Sequence, residues 1–174
     1  LKLGSSFLKS ALGGIDTLIL NYDEARQFMA SLMQADAPLR KGAGRLLENS
    51  FSFQDSYFNL RKFFKEVLEL GPKVVVVTNG AEGVYVATKE RLYFHKAMQV
   101  KVVNTLGAGD AFGSSFVGAL YAGKAVPDAI RYGVVNSASV IQQAGAKTGL
   151  LTAQALQEAV ARVDGSLLTE KDWD

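Results

Sequence analysis

Apolar runs and helical spacings alternate along the first half of the chain. Residues 16–20 (DTLIL) and 73–78 (KVVVVT) are short, continuous apolar runs rich in branched side chains. Such runs are typical of central strands, buried on both faces of a parallel sheet. The segments 23–34 and 56–70 have helical spacing. The pattern therefore predicts alternating strands and helices, as in an α/β fold.

The middle of the chain predicts a β-hairpin. Residues 83–88 and 92–95 are joined by the polar turn 89–91, and residues 100–104 continue the alternation of apolar and polar positions. We expect these segments to form antiparallel strands at the edge of the sheet.

The remainder of the sequence predicts helices. Segment 108–122 places an apolar stripe on one face and meets Gly123 as its C-terminal stop, and segments 127–143 and 152–163 follow with short connections. Segment 35–55 mixes Pro, Gly, charged and aromatic residues, which predicts an irregular or partly helical excursion.

Composition narrows the class of protein. The 174 residues are 48% hydrophobic and 21% charged, with a net charge of +2, which indicates one globular domain without a nucleic-acid or membrane partner. The absence of Cys and the single His exclude disulfides, thiolate zinc sites and multi-histidine metal sites. Without a secretory pattern at its start, the chain is expected to be cytoplasmic, and it reads as trimmed or partial.

The densest chemical signal is the loop 104–110 (NTLGAGD), which precedes a predicted helix. Gly107, Ala108 and Gly109 allow close approach of a ligand to the backbone, and amides at a helix N-terminus favour an anion. Asp110 can accept the proton of an attacking hydroxyl while the amides stabilise a phosphoryl group. The loop alone is equally compatible with Asp110 as a helix cap after a glycine turn.

Two other nucleotide motifs fit these residues less well. Gly107, Gly109 and Gly113 approach a dinucleotide-binding fingerprint, but the third glycine is one place late and helices follow instead of a strand. Residues 118–125 (GALYAGKA) approach a P-loop, but Ala125 replaces Ser or Thr and the segment ends a helix. Both motifs are rejected.

Residues 104–120 resemble the C-terminal signature of the ribokinase-like, PfkB-type carbohydrate and nucleoside kinases. Residues 21–24 (NYDE) resemble the family's NxxE element, 78–83 (TNGAEG) its TxGxxG loop and 145–146 its GA turn, in the family's order. The resemblance covers nearly the whole chain. It implies a three-layer α/β/α sandwich with a mainly parallel sheet. Residues 1–174 would be its C-terminal nucleotide-binding and catalytic portion, without the N-terminal sugar-binding and lid portion.

The resemblance also implies roles for single residues. Asp110 would be the catalytic base, and Asn21 and Glu24 would organise Mg²⁺ and phosphate. The implied anion hole consists of Gly107, Ala108 and Gly109. The implied contacts to ATP are Thr78, Gly80, Gly83, Asn136 and Gly145.

Several of these residues have a purely structural interpretation. Asn21 and Glu24 fit an N-cap and N3 capping pair, and residues 78–80 fit a simple turn. Asn136 is more simply a helix-surface amide, and His95 a strand side chain without a catalytic role.

The chain departs from the family pattern at two positions. Asn104 stands where the family commonly has Asp, which leaves a monovalent-cation site uncertain because an amide oxygen attracts a cation more weakly than a carboxylate. Ser115 stands where Ala or Gly is usual.

The implied function is Mg²⁺-dependent transfer of a phosphoryl group from ATP to a small hydroxyl-bearing acceptor, such as a sugar, sugar phosphate or nucleoside. The alternative is a catalytically silent nucleotide-binding or oligomerisation module. Whether the isolated chain is active stays open. Unpaired edges of a partial sheet predict association with a second copy or a complementary chain.

Overall fold

The chain is built of helices and strands, and three consecutive helices follow the β-hairpin, as the sequence predicts. The computed structural model describes residues 5–32 and 59–173, so the excursion predicted at 35–55 lies outside the described residues. The helices are α1 (Ser5–Leu12), α2 (Tyr22–Leu32), α3 (Leu60–Glu69), α4 (Ala108–Tyr121), α5 (Val126–Val140) and α6 (Ala153–Val160). The strands are β1 (Thr17–Asn21), β2 (Val74–Thr78), β3 (Gly83–Ala87), β4 (Arg91–Lys96) and β5 (Leu168–Asp172).

The strands form one sheet in the order β1-β2-β3-β4-β5. β1 and β2 are parallel, and their last residues, Asn21 and Thr78, are register partners. β3 and β4 form the predicted antiparallel hairpin, in which the Thr88 N–H donates to the Arg91 carbonyl at 2.9 Å. The α/β class is therefore confirmed, with a sheet that contains parallel and antiparallel pairs.

Three details of the sheet differ from the sequence-based prediction. β1 is an edge strand rather than a central one, and its residues are only half-buried apart from the exposed Asn21. The hairpin is interior, because β5 lies outside it. Residues 100–104 form no strand, and the side chains of Val102 and Val103 are exposed.

The described residues group into two compact units that alternate along the chain. The first takes its residues from Leu1–Thr78, Tyr85–Leu92 and Lys171–Asp174. Its core includes the buried face of α3, which follows from the helical spacing of its apolar residues. The buried side chains of this face are Leu60, Phe63, Phe64, Val67 and Leu68.

The second unit contains α4, α5 and α6, from within Asn79–Val84 and Tyr93–Glu170. α4 and α5 pack closely because Gly133 has no side chain: a Cβ there would lie 2.7 Å from ring carbons of Phe112. α4 ends at Tyr121 with Ala122 as its C-cap, and the predicted stop, Gly123, follows the cap with φ of +78°. None of the helices in the described part of the chain is long and apolar enough to cross a membrane.

Candidate functional site

The loop that precedes α4 is fixed by two kinds of hydrogen bond. The backbone N–H groups of Val103 and Asn104 donate to the carbonyl of Ile141, at 2.8 and 3.2 Å. Asn104 Oδ1 accepts the Leu106 N–H at 3.0 Å. Because both N–H groups converge on one carbonyl, no strand ladder forms here, and the predicted strand at 100–104 is replaced by an Asn-based turn.

Gly107 is required by its backbone neighbour. Its φ is +82°, and a Cβ on it would lie 2.9 Å from the Cα of Ala146 and closer still to the carbonyl oxygen of Ala146. The sequence predicts that the backbone of Gly107 lies close to a ligand. In the structure it lies close to the backbone of Ala146, in the predicted GA turn at Gly145 and Ala146. The two motifs lie in contact.

The first turn of α4 leaves two amides unused. The Ala108 N–H donates to the Thr105 carbonyl at 3.2 Å. Within the described part of the chain, the N–H groups of Gly109 and Asp110 make no hydrogen bond. A Cβ on Gly109 would meet nothing within 4 Å. Gly109 thus presents an open backbone at the positive end of the helix, which suits an anion.

Asp110 lies in this first turn with an exposed side chain. Its carboxylate has no hydrogen bond or ion pair with any residue that the structure describes. The N-cap of α4 is Gly107, and no side chain caps the helix. The interpretation of Asp110 as a capping side chain is therefore wrong, and its carboxylate is available as a proton acceptor.

Asn136 is buried, with 5% of its surface exposed, so the expectation of a helix-surface amide is wrong. Its Nδ2 donates to Ser115 Oγ at 2.7 Å, and its Oδ1 accepts the Leu151 N–H at 3.0 Å. Both polar atoms of the side chain are thus used within the protein. The sequence could not indicate this, because Asn136 lies among apolar helix residues without a visible partner.

Asn21 and Glu24 form the predicted capping pair at the start of α2. The Asn21 N–H donates to Glu24 Oε2 at 2.8 Å, and the Glu24 N–H donates to Asn21 Oδ1 at 2.9 Å. Both residues are exposed. Their oxygens also suit Mg²⁺, which proteins commonly hold through one or two carboxylates together with substrate phosphates. The described residues contain no cluster of three metal-ligating side chains.

The segment after β2 is a short 3₁₀ helix, Gly80–Glu82, with Asn79 as its N-cap, rather than the simple turn at residues 78–80 that the structural interpretation predicts. The Asn79 N–H donates to the Gly83 carbonyl at 2.8 Å. Gly80 has φ of +51° and open space at its Cβ position. Gly83 is required by the hairpin, since a Cβ would lie 3.0 Å from the Ala97 nitrogen. Gly80 is therefore the glycine of this loop that leaves room for a ligand.

His95 lies in β4, as predicted, and is fully buried. Its Nδ1 is 2.7 Å from the Lys96 carbonyl oxygen, which can only accept, so Nδ1 bears the proton. Nε2 is buried without a hydrogen-bond partner among the described residues. Burial lowers the pKa of His95, and the positive charge of Arg131 lowers it further. The imidazole is therefore neutral at physiological pH.

The predicted site residues fall into two sets. The loop at 104–110, the 145–146 turn, Asn136 and the glycines Gly80 and Gly83 belong to the second unit. Asn21, Glu24 and Thr78 belong to the first unit, where the register of β1 and β2 places Asn21 beside Thr78.

Comparisons with known proteins agree with the family resemblance of the sequence. A family model described as the pfkB family of carbohydrate kinases matches residues 4–153. A 5-dehydro-2-deoxygluconokinase from Halalkalibacterium halodurans is 28% identical over 118 residues, which are 67% of this chain and 34% of that protein.

Solved structures show the same fold. A ribokinase from Thermotoga maritima is 22% identical and superposes with a TM-score of 0.70, covering 88% of this chain and 45% of that one. A putative Ribokinase II from E. coli, in complex with ATP and Mg²⁺, is 18% identical with a TM-score of 0.66, covering 91% of this chain and 43% of that one.

The chain thus spans about a third of this curated relative and less than half of these solved structures. It has the ribokinase fold over that span. Because the family model matches most of its length, the chain belongs to the pfkB family of carbohydrate kinases.

Proposed function

We propose that the full-length protein containing this chain transfers the γ-phosphoryl group of ATP, with Mg²⁺, to a hydroxyl of a sugar, sugar phosphate or nucleoside. Membership of a carbohydrate kinase family supports phosphoryl transfer in general. The observation that most directly supports the mechanism is the exposed, unpaired carboxylate of Asp110 beside the unused amides of Gly109 and Asp110.

Asp110 acts as the general base in this proposal. Its carboxylate takes the proton of the acceptor hydroxyl as that oxygen forms a bond to the γ-phosphorus. The bond from the γ-phosphorus to the bridging oxygen breaks, and ADP leaves with that electron pair. A carboxylate already held by a protein cation or a capping bond would accept this proton less readily, and Asp110 has neither within the described residues.

The start of α4 stabilises the charge on the transferred group. The free N–H groups of Gly109 and Asp110 and the positive end of the helix supply the anion hole. Gly107 shapes the loop and leaves its own N–H free, whereas the Ala108 N–H is engaged with Thr105. We therefore assign the larger part of the anion hole to Gly109 and Asp110.

Asn21 and Glu24 organise Mg²⁺ and phosphate in this proposal, since they supply an amide oxygen and a carboxylate. When bound, Mg²⁺ neutralises charge on the phosphate oxygens. Thr78, Gly80 and Gly83 contact the ATP phosphates, with Gly80 offering open backbone. Gly145 lies beside the nucleotide.

Asn104 is expected to bind a monovalent cation less tightly than the Asp that the family commonly has at this position. Asn104 replaces the carboxylate that the family commonly has, and its Oδ1 already accepts the Leu106 N–H. An uncharged and partly used oxygen binds a cation less well than a carboxylate.

A second candidate is a silent module that works by association. The edge strand β1 supports it, because among the described strands its half-buried apolar residues have one neighbour, β2, on one side. In that case the full-length protein, in the cytoplasm, would bind nucleotide and associate with a partner without turnover.

Calorimetric titration of the full-length protein with Mg·ATP tests the premise that both candidates share. A phosphorylation screen over sugars, sugar phosphates and nucleosides then separates them, with the Asp110→Asn variant as the control for contaminating kinases. Nucleotide binding with Asp110-dependent phosphorylation supports the kinase. Binding without turnover on any acceptor favours the silent module, and the absence of binding contradicts both.

A further inference from the structure

The buried amide of Asn136 connects three segments of the second unit. We infer that Asn136 is a positioning residue that, through Ser115 and Leu151, holds the connection between α5 and α6 against α4 and thereby sets nucleotide affinity. This inference rests on the proposed function, because the 145–146 turn in that connection is the part assigned to the nucleotide.

Each polar atom of the Asn136 side chain makes one hydrogen bond to another segment. Nδ2 donates to Ser115 Oγ at 2.7 Å, and Oδ1 accepts the Leu151 N–H at 3.0 Å. With 5% of its surface exposed, Asn136 has no solvent to replace either partner. A buried amide group that loses its partner is costly, so the geometry of this pair is well defined.

The connection is also fixed at its start and in its middle. The Ile141 carbonyl accepts the N–H groups of Val103 and Asn104. Ala146 lies against Gly107 so closely that a Cβ on Gly107 would be 2.9 Å from its Cα. The Leu151 N–H, held by Asn136, anchors the end.

Ser115 connects Asn136 to α4, the helix that carries Asp110. It lies on α4, five residues after Asp110, and its hydroxyl is the partner of the Asn136 amide. A rigid helix transmits the position of Ser115 to its first turn. The hydrogen bonds thus form a chain from Leu151 through Asn136 to the helix that carries Asp110, which relates the 145–146 turn to the anion hole.

The expected consequence is a defect in nucleotide binding rather than in chemistry. Ser115→Ala leaves Asn136 Nδ2 buried without its partner, so Asn136 turns and releases the Leu151 N–H. The 145–146 turn then shifts, while the carboxylate of Asp110 is unchanged. We expect the Kd and KM for Mg·ATP to rise and kcat at saturating ATP to stay near the wild-type value.

The test uses the full-length protein and a matched control on the same helix. Ser114→Ala removes a neighbouring hydroxyl whose hydrogen bond, to the Ala111 carbonyl at 3.3 Å, stays within α4. We expect Ser115→Ala to weaken Mg·ATP binding roughly 10-fold, below the roughly 100-fold that a 1 Å misplacement can cost. Ser114→Ala should match wild type, and Ser115→Thr, which keeps the hydroxyl, should recover most of the affinity.

Hydrogen exchange at the Leu151 amide gives a readout that needs no ligand. Ser115→Ala should accelerate that exchange and Ser114→Ala should not. The inference is overturned if Ser115→Ala leaves the exchange of the Leu151 amide unchanged, or if the two variants bind Mg·ATP with equal affinity. The proposed function still stands in either case, provided that the wild-type protein binds Mg·ATP. A wild-type protein that does not bind Mg·ATP, even though Leu151 exchange responds to Ser115→Ala, overturns the proposed function and the nucleotide part of the inference together.

Discussion

Gly107 lies directly against the backbone of Ala146, with φ of +82° and no room for a Cβ. Two motifs that are far apart in the sequence, the glycine-rich loop and the GA turn, are therefore packed together by backbone alone. Gly107 and Gly109 consequently serve different purposes. Gly107 makes this packing possible, whereas Gly109 leaves open space above the first turn of α4.

This difference leads to a prediction for Gly109→Ala. A Cβ at position 109 meets no protein atom within 4 Å, so the substitution should not destabilise the fold. It should stabilise α4 by about 0.5–1 kcal/mol, since Ala favours a helix over Gly. If the phosphoryl group approaches as proposed, the methyl group would stand in its way, and we expect turnover to fall by roughly 10²-fold, comparable with the loss of an anion-hole donor. Steady-state kinetics and thermal unfolding of the full-length protein measure both effects.

Gly118→Ala is the matched control for that experiment. Gly118 lies on the same helix, is exposed and also has nothing within 4 Å of a Cβ. It should gain similar stability and keep full activity. If the variants at 109 and 118 had the same turnover, the open backbone at Gly109 would not be part of the phosphoryl site.

Glu24 allows its capping role and its proposed role with Mg²⁺ to be separated. Glu24→Gln keeps an oxygen that can accept the Asn21 N–H, so the thermal midpoint should change little. It removes the negative charge, and we expect the Mg²⁺ concentration for half-maximal activity to rise roughly 10-fold, in the range seen for residues that orient a metal's ligands.

Two other variants complete the test of Glu24. Glu24→Ala also loses the capping bond, and its stability should fall by about 0.5–2 kcal/mol. Asp23→Asn removes a neighbouring exposed charge in the same helical turn and should leave Mg²⁺ dependence unchanged. An unaltered Mg²⁺ requirement in Glu24→Gln would restrict Glu24 to capping.

The stability of the protein should depend on His95 in mildly acid solution. Burial lowers the pKa of His95 below its ordinary value of 6.5, so between these two pKa values the unfolded chain binds a proton that the folded chain does not. Stability therefore falls as pH decreases below about 6.5, by at most about 1.4 kcal/mol per pH unit for one proton. Denaturant unfolding at pH 7.5 and pH 5.5 measures the loss.

The chain has a single histidine, which makes this prediction simple to check by NMR. The imidazole signal of the folded protein should titrate below the value for an unfolded peptide. An imidazole that titrated at or above pH 6.5 in the folded protein would contradict the buried, neutral ring with its proton on Nδ1.

The elements that the sequence predicted best have a clear pattern of apolar residues, either at helical spacing or in a continuous run. The elements that it missed have a short or weak apolar pattern. The apolar stripe of α4 and the continuous apolar run of β2 predicted bounds within one residue of those observed. The apolar stripe of α3 predicted the helix, but α3 begins at Leu60, and the predicted start at residue 56 lies outside the described residues. β5 reads LTEKD, and an edge strand with charged residues has no apolar signal. α1 was missed although Leu8 and Leu12, one turn apart and both buried, supplied a short helical signal.

The candidate site residues were predicted from sequence motifs, and the contacts that surround each residue were not predicted. The motifs at Asn21 and Thr78 were identified by resemblance to the family pattern, and the loop at Asp110 also from its glycines before a predicted helix. The capping pair of Asn21 and Glu24 formed as their spacing implies. Local spacing could not predict that Asn136 is buried against Ser115, or that Gly107 faces Ala146. Both contacts join segments that are distant in the sequence, so neither contact can be inferred from the residue pattern of a single segment.

The measurement that tests the proposed catalysis most directly is the turnover rate of Asp110→Asn in the full-length protein. The carboxylate makes no capping bond, so the variant should lose at most about 0.3–1 kcal/mol, from the charge near the helix N-terminus. Asp128→Asn, at the first turn of α5, controls for that loss of charge. We predict that Asp110→Asn binds Mg·ATP with wild-type affinity while turnover falls by roughly 10²–10⁴-fold, as expected for loss of a general base. Turnover equal to that of Asp128→Asn would contradict the assignment of Asp110 as the base.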